Sequence, residues 1–430
     1  MKMETFKSIA LFFLVVVSLL LTLSLWNESP RYKERLYSSS YVNEVDVGGK
    51  EYKKKDIIDP NQVLFHNRDS VKGFEFPKDE KEFYIEMSFW SLHDFSTGEA
   101  EWNRKKRNEI EVRYPTPVPM KLLSSLFTMD DEVFLPAWSF NRAFITFNQA
   151  STAMQIKFLS ADGAYEATAT INDTVQYKRL MSYFETGNDL IDYIPFGDGP
   201  APIYIPKGEQ TVLQRSMGAQ MIDEKKFVNA LFKKPSMVSK NTGEAYYLDG
   251  QRGMRILQNK RSMEYINPIE SNKVSMDPAD LIDKSATNIN EHKGWTADYN
   301  LFQVDPKTNT VRYKMYYKGY EVFNNNGLAT IEQIWRNDQL YKYRRPLFSL
   351  NNSLGGDPIT LPSGQELIRA LKENSDYDLS GIQDIRIGYH LEYPESDAHS
   401  VILRPSWFMD YKGNWQEIKI NKLRNEEGAA

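Results

Sequence analysis

Residues 9–26 have the sequence IALFFLVVVSLLLTLSLW and contain no charged side chain. As an α-helix, these eighteen residues rise about 27 Å, which is close to the thickness of the hydrocarbon core of a bilayer. The hydroxyls of Ser18, Thr22 and Ser24 can donate hydrogen bonds to carbonyls of their own helix, so they are compatible with lipid. We therefore expect a transmembrane helix here. The alternative is a buried helix in the core of a soluble protein.

The flanks of this apolar run decide between a cleaved signal and an anchor. Lys2 and Lys7 precede the run, as in a secretory signal. Signal cleavage requires small residues in an Ala-x-Ala-like pattern, whereas residues 23–28 are LSLWNE. The run is therefore predicted to be an uncleaved signal anchor over residues 9–26, behind a cytoplasmic tail of residues 1–8.

The orientation of the anchor follows from the length of chain beyond it. Positive residues lie on both sides, because Arg31, Lys33 and Arg35 follow the run. The Lys and Arg count therefore does not decide which side is inside. Long domains translocate largely regardless of their charge, and most of the chain follows residue 26. We expect a single-pass protein of the cell membrane with its C-terminal domains outside the cytoplasm.

The composition excludes several classes of protein. The chain has 430 residues, of which 41% are apolar, and a net charge of −5. That apolar fraction is enough to build packed cores, and the acidic balance does not point to nucleic acid as a partner. There is no cysteine, which excludes disulfides, thiolate metal sites and cysteine nucleophiles.

The part after the anchor is expected to be α+β, with mixed helices and antiparallel sheets in three extracytoplasmic domains. The polar residues 27–58 predict a stalk. Residues 195–206, PFGDGPAPIYIP, are rich in proline and glycine and predict a boundary. This gives a first domain over residues 59–206, a middle domain over 207–272 and a C-terminal domain over 273–430.

In the first domain, apolar spacing predicts a helix over residues 79–93. Alternation of apolar and polar residues predicts strands of an antiparallel sheet at 109–114, 142–147, 154–159 and 165–171. Between the first two of these strands, Pro115, Pro117 and Pro119 are expected to prevent regular structure. A short helix is predicted after them, at residues 120–127.

Four later helices are predicted from their N-terminal residues. The oxygens of carboxylates, amides and hydroxyls can accept hydrogen bonds from the unpaired N–H groups of a first helical turn. The predicted caps are Asn172 or Asp173, Asp223, Asp277 with Pro278 behind it, and Ser363 with Glu366 in a capping box. Strands are predicted within residues 244–266, 295–323 and 382–403.

The middle and C-terminal domains show the same order of elements, which is helix, strand, turn, strand. Paired tyrosines precede the turn in both, as YYLDG at residues 246–250 and YYKG at residues 316–319. Few residues match, so this is an echo in the order of elements and not a sequence repeat. The echo is compatible with a shared topology of the two domains and also with a coincidence.

A search for catalytic and metal-binding motifs finds none, so no catalytic, cofactor-binding or metal-binding residue is predicted. The five histidines form no His-Glu-x-x-His pair, and there is no nucleophile elbow or phosphate loop. A glycosidase stays open, because its two carboxylates can be distant in sequence. His390 and His399 flank three acidic residues, namely Glu392, Glu395 and Asp397. These five residues predict either a metal or acid–base site or a hairpin loop with solvated charges.

Two basic clusters in the sequence belong to no known functional motif. They are residues 53–55 (KKK) and residues 104–107 (RKKR). Each is a candidate contact for anionic lipid or wall polymer. The alternative is a solvated face, since Glu51, Asp56, Glu101 and Glu109 dilute the positive charge.

Several stretches resemble the YycH (WalH) family. They are the anchor pattern LVxxSxxLTxxxW at residues 14–26, YKYRRPL at 341–347, DIRIGY at 384–389, VILRPSWF at 401–408 and GNW at 413–415. The resemblance extends from one end of the chain to the other. These motifs consist of packing residues, and the family brings no catalytic residues with it.

The resemblance implies both a fold and a function. It implies a mixed α/β fold of three domains, two of them of similar topology. It also implies a membrane-anchored regulator, acting outside the cytoplasm, of a two-component system that controls cell-wall metabolism. The implied partners are a sensor histidine kinase of the YycG (WalK) type and a single-span regulator like YycI. The alternative class is an anchored hydrolase, or a binding module for wall polymer or lipid.

One face of the anchor is predicted to contact a partner helix. Ser18 and Thr22 are four residues apart and lie on the same side. Leu11, Leu14 and Leu25 flank them. Helices in lipid associate through close packing and hydrogen bonds, which small polar residues allow. The alternative is that both hydroxyls bond only to carbonyls of their own helix.

Overall fold

The structure is a computed structural model of the chain. It describes residues 15, 18, 45–68, 70–100, 108–129, 133–148, 150–197, 199, 201–241, 244–257, 260–268, 274–374, 377–394 and 399–419. Val15 and Ser18 are helical. The rest of the predicted anchor, the tail 1–8 and residues 27–44 of the predicted stalk lie outside the described residues. Within the described residues, no helix combines the length and the apolar character needed to cross a membrane.

Ten strands form the first sheet among the residues described, in the order β10-β9-β2-β1-β4-β6-β7-β8-β3-β5. All neighbours are antiparallel except β3 and β5. The strands are β1 (Gln62–Asn67), β2 (Ser70–Phe74), β3 (Ser91–Glu99), β4 (Glu109–Pro119), β5 (Thr128–Met129), β6 (Ser139–Asn148), β7 (Ala153–Ser160), β8 (Tyr165–Ile171), β9 (Leu190–Phe196) and β10 (Ile203–Pro206). The four strands predicted from alternation are confirmed as β4, β6, β7 and β8.

Helices cover one face of this sheet and close its core. They are α1 (Pro77–Met87), α2 (Leu123–Leu126) and α3 (Thr174–Thr186). The ring of Phe65 on β1 contacts Phe83 of α1 and Tyr183 of α3, with centroids 6.2 and 5.0 Å apart. Strand β1 thus places the side chain of Phe65 against both helices, and Val63 and Leu64 before it are buried as well.

The prediction for the three prolines is wrong, because β4 continues through them to Pro119. The ladder with β6 breaks between the pairs Arg113–Arg142 and Val118–Phe140. A proline has no N–H to donate, but at this irregularity none is required, and its fixed φ suits an extended chain. The helix 120–127 behind the prolines is confirmed as a 3₁₀ turn, Met120–Leu122, followed by α2.

The predicted helix 79–93 is correct in its first part and wrong beyond Met87. Trp90 and Leu92 are both buried, and a spacing of two is the period of a strand. Residues from Ser91 onwards belong to β3, which pairs with β8 and β5. The spacing of three from residue 87 to residue 90 fits a helix, and the spacing of two from residue 90 to residue 92 fits a strand. The sequence pattern alone therefore does not show where the helix ends and the strand begins.

Fourteen strands form the second sheet of the described chain, in the order β13-β14-β15-β16-β21-β20-β18-β19-β24-β25-β12-β22, with β17 beside β18 and β26 beside β25. They are β12 (Arg215–Met221), β13 (Ser236–Asn241), β14 (Glu244–Asp249), β15 (Arg252–Leu257), β16 (Ser262–Ile266), β17 (Asp298–Asp305), β18 (Thr310–Tyr317), β19 (Tyr320–Phe323), β20 (Thr330–Arg336), β21 (Gln339–Pro346), β22 (Phe348–Gly355), β24 (Ile382–Glu392), β25 (Ser400–Tyr411) and β26 (Asn414–Glu417). A separate pair consists of β11 (Gln210–Leu213) and β23 (Pro358–Leu361). The helices here are α4 (Glu224–Leu231), α5 (Pro278–Asn290) and α6 (Gly364–Glu373), with a 3₁₀ turn at Leu379–Gly381.

The echo in the sequence corresponds to two meanders that meet at their last strands. Helix α4 precedes the antiparallel series β13-β14-β15-β16. Helix α5 precedes the antiparallel series β17-β18-β20-β21. Strand β16 then pairs antiparallel with β21. Residues on both sides of the predicted boundary at 272/273 therefore share one sheet, and the division there stays a prediction about folding units.

The predicted helix caps are confirmed. A side-chain oxygen of each accepts a hydrogen bond from a backbone N–H in the first turn, at 2.9 to 3.2 Å. The acceptors are Asp173 for α3, Asp223 for α4, Asp277 for α5 and Ser363 for α6. Between the sheets, β10 ends at Pro206 and β11 begins at Gln210.

Candidate functional site

The two sheets are joined by the segment that leads into β1. The N–H of Asp59 donates to Oδ1 of Asn300 on β17, and Nδ2 of Asn300 donates back to the carbonyl of Asp59, both at 2.8 Å. Just before this pair, the hydroxyl of Tyr84 on α1 donates to the carbonyl of Ile58 at 2.5 Å. A reciprocal amide pair fixes both distance and orientation, so this segment is a rigid joint between the sheets.

Charged side chains reinforce the joint. Nζ of Lys81 on α1 lies 2.8 Å from Oδ2 of Asp298 on β17 and 3.5 Å from Oδ2 of Asp59. Burial raises the pKa of Asp59 to about 7, although the positive charge of Lys81 opposes this. One lysine thus spans α1 of the first sheet and β17 of the second.

Glu80, next to Lys81, faces the interior of the joint. Its Oε1 accepts a hydrogen bond from the backbone N–H of Val63 on β1. Burial raises the pKa of this carboxyl to about 8, against the opposing effects of the Val63 N–H and the charge of Arg386. Removing a carboxylate from water without a close cation favours its neutral form. Glu80 is therefore mostly protonated at neutral pH.

Arg386 on β24 lies at the centre of a second buried ion cluster. Its Nη1 lies 2.7 Å from Oε2 of Glu321, and its Nη2 contacts Asp384. Nζ of Lys314 lies 3.2 Å from the other oxygen of Glu321. The guanidinium also stacks over Trp415, 4.6 Å from the ring centroid. Aromatic faces and paired carboxylates compensate these cations for the loss of water.

A cavity of about 130 Å³ lies between these two ion clusters. Its walls come from both sheets and include Glu80, Tyr193, Tyr320 and Arg386. The lysine and arginine of the walls, Lys81 and Arg386, each hold two carboxylates. Lys81 is paired across the interface with Asp298, whereas Arg386 is paired with Glu321 and Asp384 of its own sheet. The cavity is therefore a polar joint whose cations are matched by carboxylates.

The five residues predicted as a metal or acid–base site are not brought together as a set. Nδ1 of His390 lies 2.9 Å from Oε2 of Glu417 on β26. Arg404 pairs with both Glu417 and Glu392, at 2.9 Å each. His399 directly precedes β25, and its carbonyl accepts a hydrogen bond from the backbone N–H of Ala219. Glu395 and Asp397 lie outside the described residues.

The arrangement around His390 is thus a network of ion pairs on neighbouring strands. The two hydrogen bonds from His390 and Arg404 lower the pKa of Glu417 in spite of burial, which alone would raise it. Across the part of the chain that the structure describes, no group of three or more histidine, aspartate or glutamate residues could hold a metal ion.

The first basic cluster has specific partners. Nζ of Lys54 lies 2.7 Å from Asp283 of α5. Nζ of Lys55 lies 4.5 Å above the ring of Phe89. The second cluster, residues 104–107, lies outside the described residues.

Of the residues predicted to contact a partner helix, the structure describes only Ser18, which is helical and exposed. Leu11, Leu14, Thr22 and Leu25 lie outside the described residues. Sequence reasoning missed Glu80, Glu321 and Arg386. Glu80 is one of five consecutive charged residues, 78–82, and nothing in the sequence distinguishes it from the others. Only the fold brings Glu80, Glu321 and Arg386 to one interface, so no local pattern could have identified them.

Comparison with known proteins gives matches over nearly the whole chain. Residues 4–188 match the family model "YycH protein, N-terminal domain", and residues 201–427 match "YycH protein, C-terminal domain". The chain is 22% identical to the "Two-component system WalR/WalK regulatory protein YycH" of Bacillus subtilis (strain 168), over 99% of this chain and 98% of that protein.

A solved structure shows the same fold. The crystal structure of YycH from Bacillus subtilis superposes with a TM-score of 0.73 at 18% identity, covering 87% of this chain and 99% of that one. The mixed α+β architecture expected from the sequence is therefore confirmed, and the structure shows that it is rich in sheet. With both family models matched and this architecture shared, the chain belongs to the YycH family.

Proposed function

We propose that the protein is a membrane-anchored extracytoplasmic regulator of a sensor histidine kinase, in a two-component system that controls cell-wall metabolism. The observation that carries this proposal is the alignment, over 99% of the chain, with a protein named as a regulator of the WalR/WalK system. The charged groups of the joint are held in ion pairs, which suits a protein that acts by binding and not by catalysis.

The partners proposed are a kinase of the YycG (WalK) type and a single-span regulator like YycI. Contacts between proteins would carry the regulation, partly through the anchor face of Ser18, Thr22, Leu11, Leu14 and Leu25. Crosslinking of the full-length protein in membranes, followed by pull-down, tests this proposal. Recovery of the kinase supports it, and its absence from the crosslinked material contradicts it.

The proposed topology places residues 9–26 across the membrane and the domains 59–206, 207–272 and 273–430 outside, behind a stalk of residues 27–58. The uncharged run and the lack of a cleavage pattern support it. Protease added to intact protoplasts is expected to digest the external part. Full protection from the protease would contradict this topology.

A further inference from the structure

One end of helix α1 carries exposed apolar side chains. Ile85 is 48% exposed, and Phe89, four residues further on, is 66% exposed. Val175, at the start of α3, is 72% exposed. Helix α3 is tied to this end of α1, because Nε2 of Gln176 donates to Glu86 at 2.6 Å. We call Ile85, Phe89 and Val175, together with Lys53 and Lys55, the α1 end face.

Positive charge adjoins the apolar part of this face. Nζ of Lys55 lies 4.5 Å above the ring of Phe89, and Lys53 is exposed. Lysine next to an exposed aromatic ring is the combination that suits the boundary between lipid and water. There the ring meets acyl chains and the ammonium reaches anionic headgroups.

The position of the face in the chain also points to the membrane. The described chain resumes at residue 45, and the N–H groups of Val47 and Gly49 donate to the carbonyls of His292 and Lys293 at 3.1 Å. The 3₁₀ turn Lys54–Asp56 follows at once. In the sequence, residues 27–44 separate this entry point from the apolar run 9–26. Lys53 and Lys55 of the face thus lie in the segment that directly follows this entry point, and Lys55 connects the segment to Phe89.

We propose that the α1 end face rests on the outer surface of the membrane. Phe89, Ile85 and Val175 lie at the level of the headgroups, and Lys53 and Lys55 contact anionic phospholipid. This inference rests on the proposed anchoring of the chain. It adds a second, peripheral contact, which would fix the orientation of the external domains relative to the bilayer.

The absence of cysteine from the chain makes a direct test possible. The full-length protein with Val175→Cys carries an environment-sensitive fluorophore and is reconstituted into vesicles of phosphatidylglycerol and phosphatidylcholine that contain nitroxide-labelled lipid. Phe134→Cys, at a side chain 90% exposed in the loop between β5 and β6, is the matched control. Ile85→Ser with Phe89→Ser is then added to the Val175→Cys protein, and its thermal unfolding is compared with that of the parent.

We expect quenching at position 175 to be severalfold larger than at position 134. It should fall to the level of the control in the double-serine protein, and it should weaken in vesicles of phosphatidylcholine alone. Equal quenching at positions 175 and 134, in protein that floats with the vesicles, would overturn the inference and leave the anchored regulator intact. Protein that does not float with the vesicles would overturn both the lipid contact of the α1 end face and the proposed membrane anchor. Shielding of position 175 that appears only when the kinase is added would assign the face to a protein partner and overturn the lipid contact.

Discussion

Buried charge at the joint is the main feature of this protein at the scale of single residues. Arg386 lies between two apolar neighbours, Ile385 and Ile387, on β24. It shares the joint with Glu321, which is 2% exposed. Removing one partner of a buried ion pair leaves the other charge uncompensated and is strongly destabilising. The effect of these charges is therefore best measured by removing one partner at a time.

Glu80→Gln is expected to change how stability depends on pH. The pKa of Glu80 is raised from 4.5 to about 8 in the folded protein. Between these two values the unfolded chain has lost the proton and the folded chain has kept it, so stability falls as the pH rises through this window. Glutamine can still accept from the Val63 N–H and does not ionise. From pH 5 to pH 8, urea unfolding in detergent should show the variant gaining about 3 to 4 kcal/mol relative to wild type.

The same relative stability of wild type and Glu80→Gln at both pH values would contradict this assignment. Asp59, with its pKa raised to about 7, titrates in both proteins and cancels in the comparison. The difference between the two proteins therefore reports Glu80 alone.

Arg386→Met is expected to destabilise the protein by about 3 kcal/mol, because Asp384 and Glu321 then lose a shared cation inside the joint. Lys78→Ala is the control. Its i, i+4 pair with Glu82 lies on the surface of α1, where an ion pair contributes little. Urea midpoints should fall for the first variant and stay unchanged for the second. Equal midpoints for all three proteins would show that the buried cluster does not stabilise the fold.

At the scale of elements, the turn between β18 and β19 depends on a glycine for two reasons. Gly319 has φ of +83°, and a Cβ at this position would lie 2.6 Å from Cβ of Pro77, at the start of α1. The turn therefore packs directly against a helix of the first sheet. Gly413, between β25 and β26, has φ of +81° and no atom within 4 Å of such a Cβ.

Substituting these two glycines distinguishes the cost of backbone strain from the cost of steric crowding, because both have a positive φ and only Gly319 lies against another residue. Alanine at either position should cost about 1 to 2 kcal/mol for the left-handed conformation. Gly319→Ala should cost clearly more than Gly413→Ala, because Pro77 must also move. Thermal unfolding of both variants measures the difference. An equal shift in Tm would mean that the contact between the turn and α1 is loose.

At the scale of the whole molecule, the proposed function predicts that the anchor itself selects a partner. Ser18→Leu with Thr22→Leu should reduce copurification of the kinase from membranes, because small polar side chains allow close packing of helices in lipid. Leu19→Ala with Leu23→Ala, on another side of the helix, should not. Interhelical polar contacts average about 0.6 kcal/mol, so the two substitutions are made together. Equal recovery of the kinase with both pairs would remove this face from the mechanism.

The sequence by itself determined the local elements of this protein. Alternation located β4, β6, β7 and β8, and capping residues such as Asp173 and Asp277 located the starts of helices. These features depend on neighbours within a few residues, and local patterns report them. None of the catalytic motifs sought occurs in the sequence, and the family resemblance indicated the class of the protein.

Only the tertiary structure decided the rest. The continuation of β4 through Pro115 and Pro117 depends on an irregularity in its pairing with β6. The meeting of two meanders at β16 and β21 depends on strands far apart in the chain. Glu80 and Arg386 are about 300 residues apart, so their meeting in the wall of one cavity has no local signature. Such contacts become favourable only once distant segments are brought together and removed from water, and this is set by the whole fold.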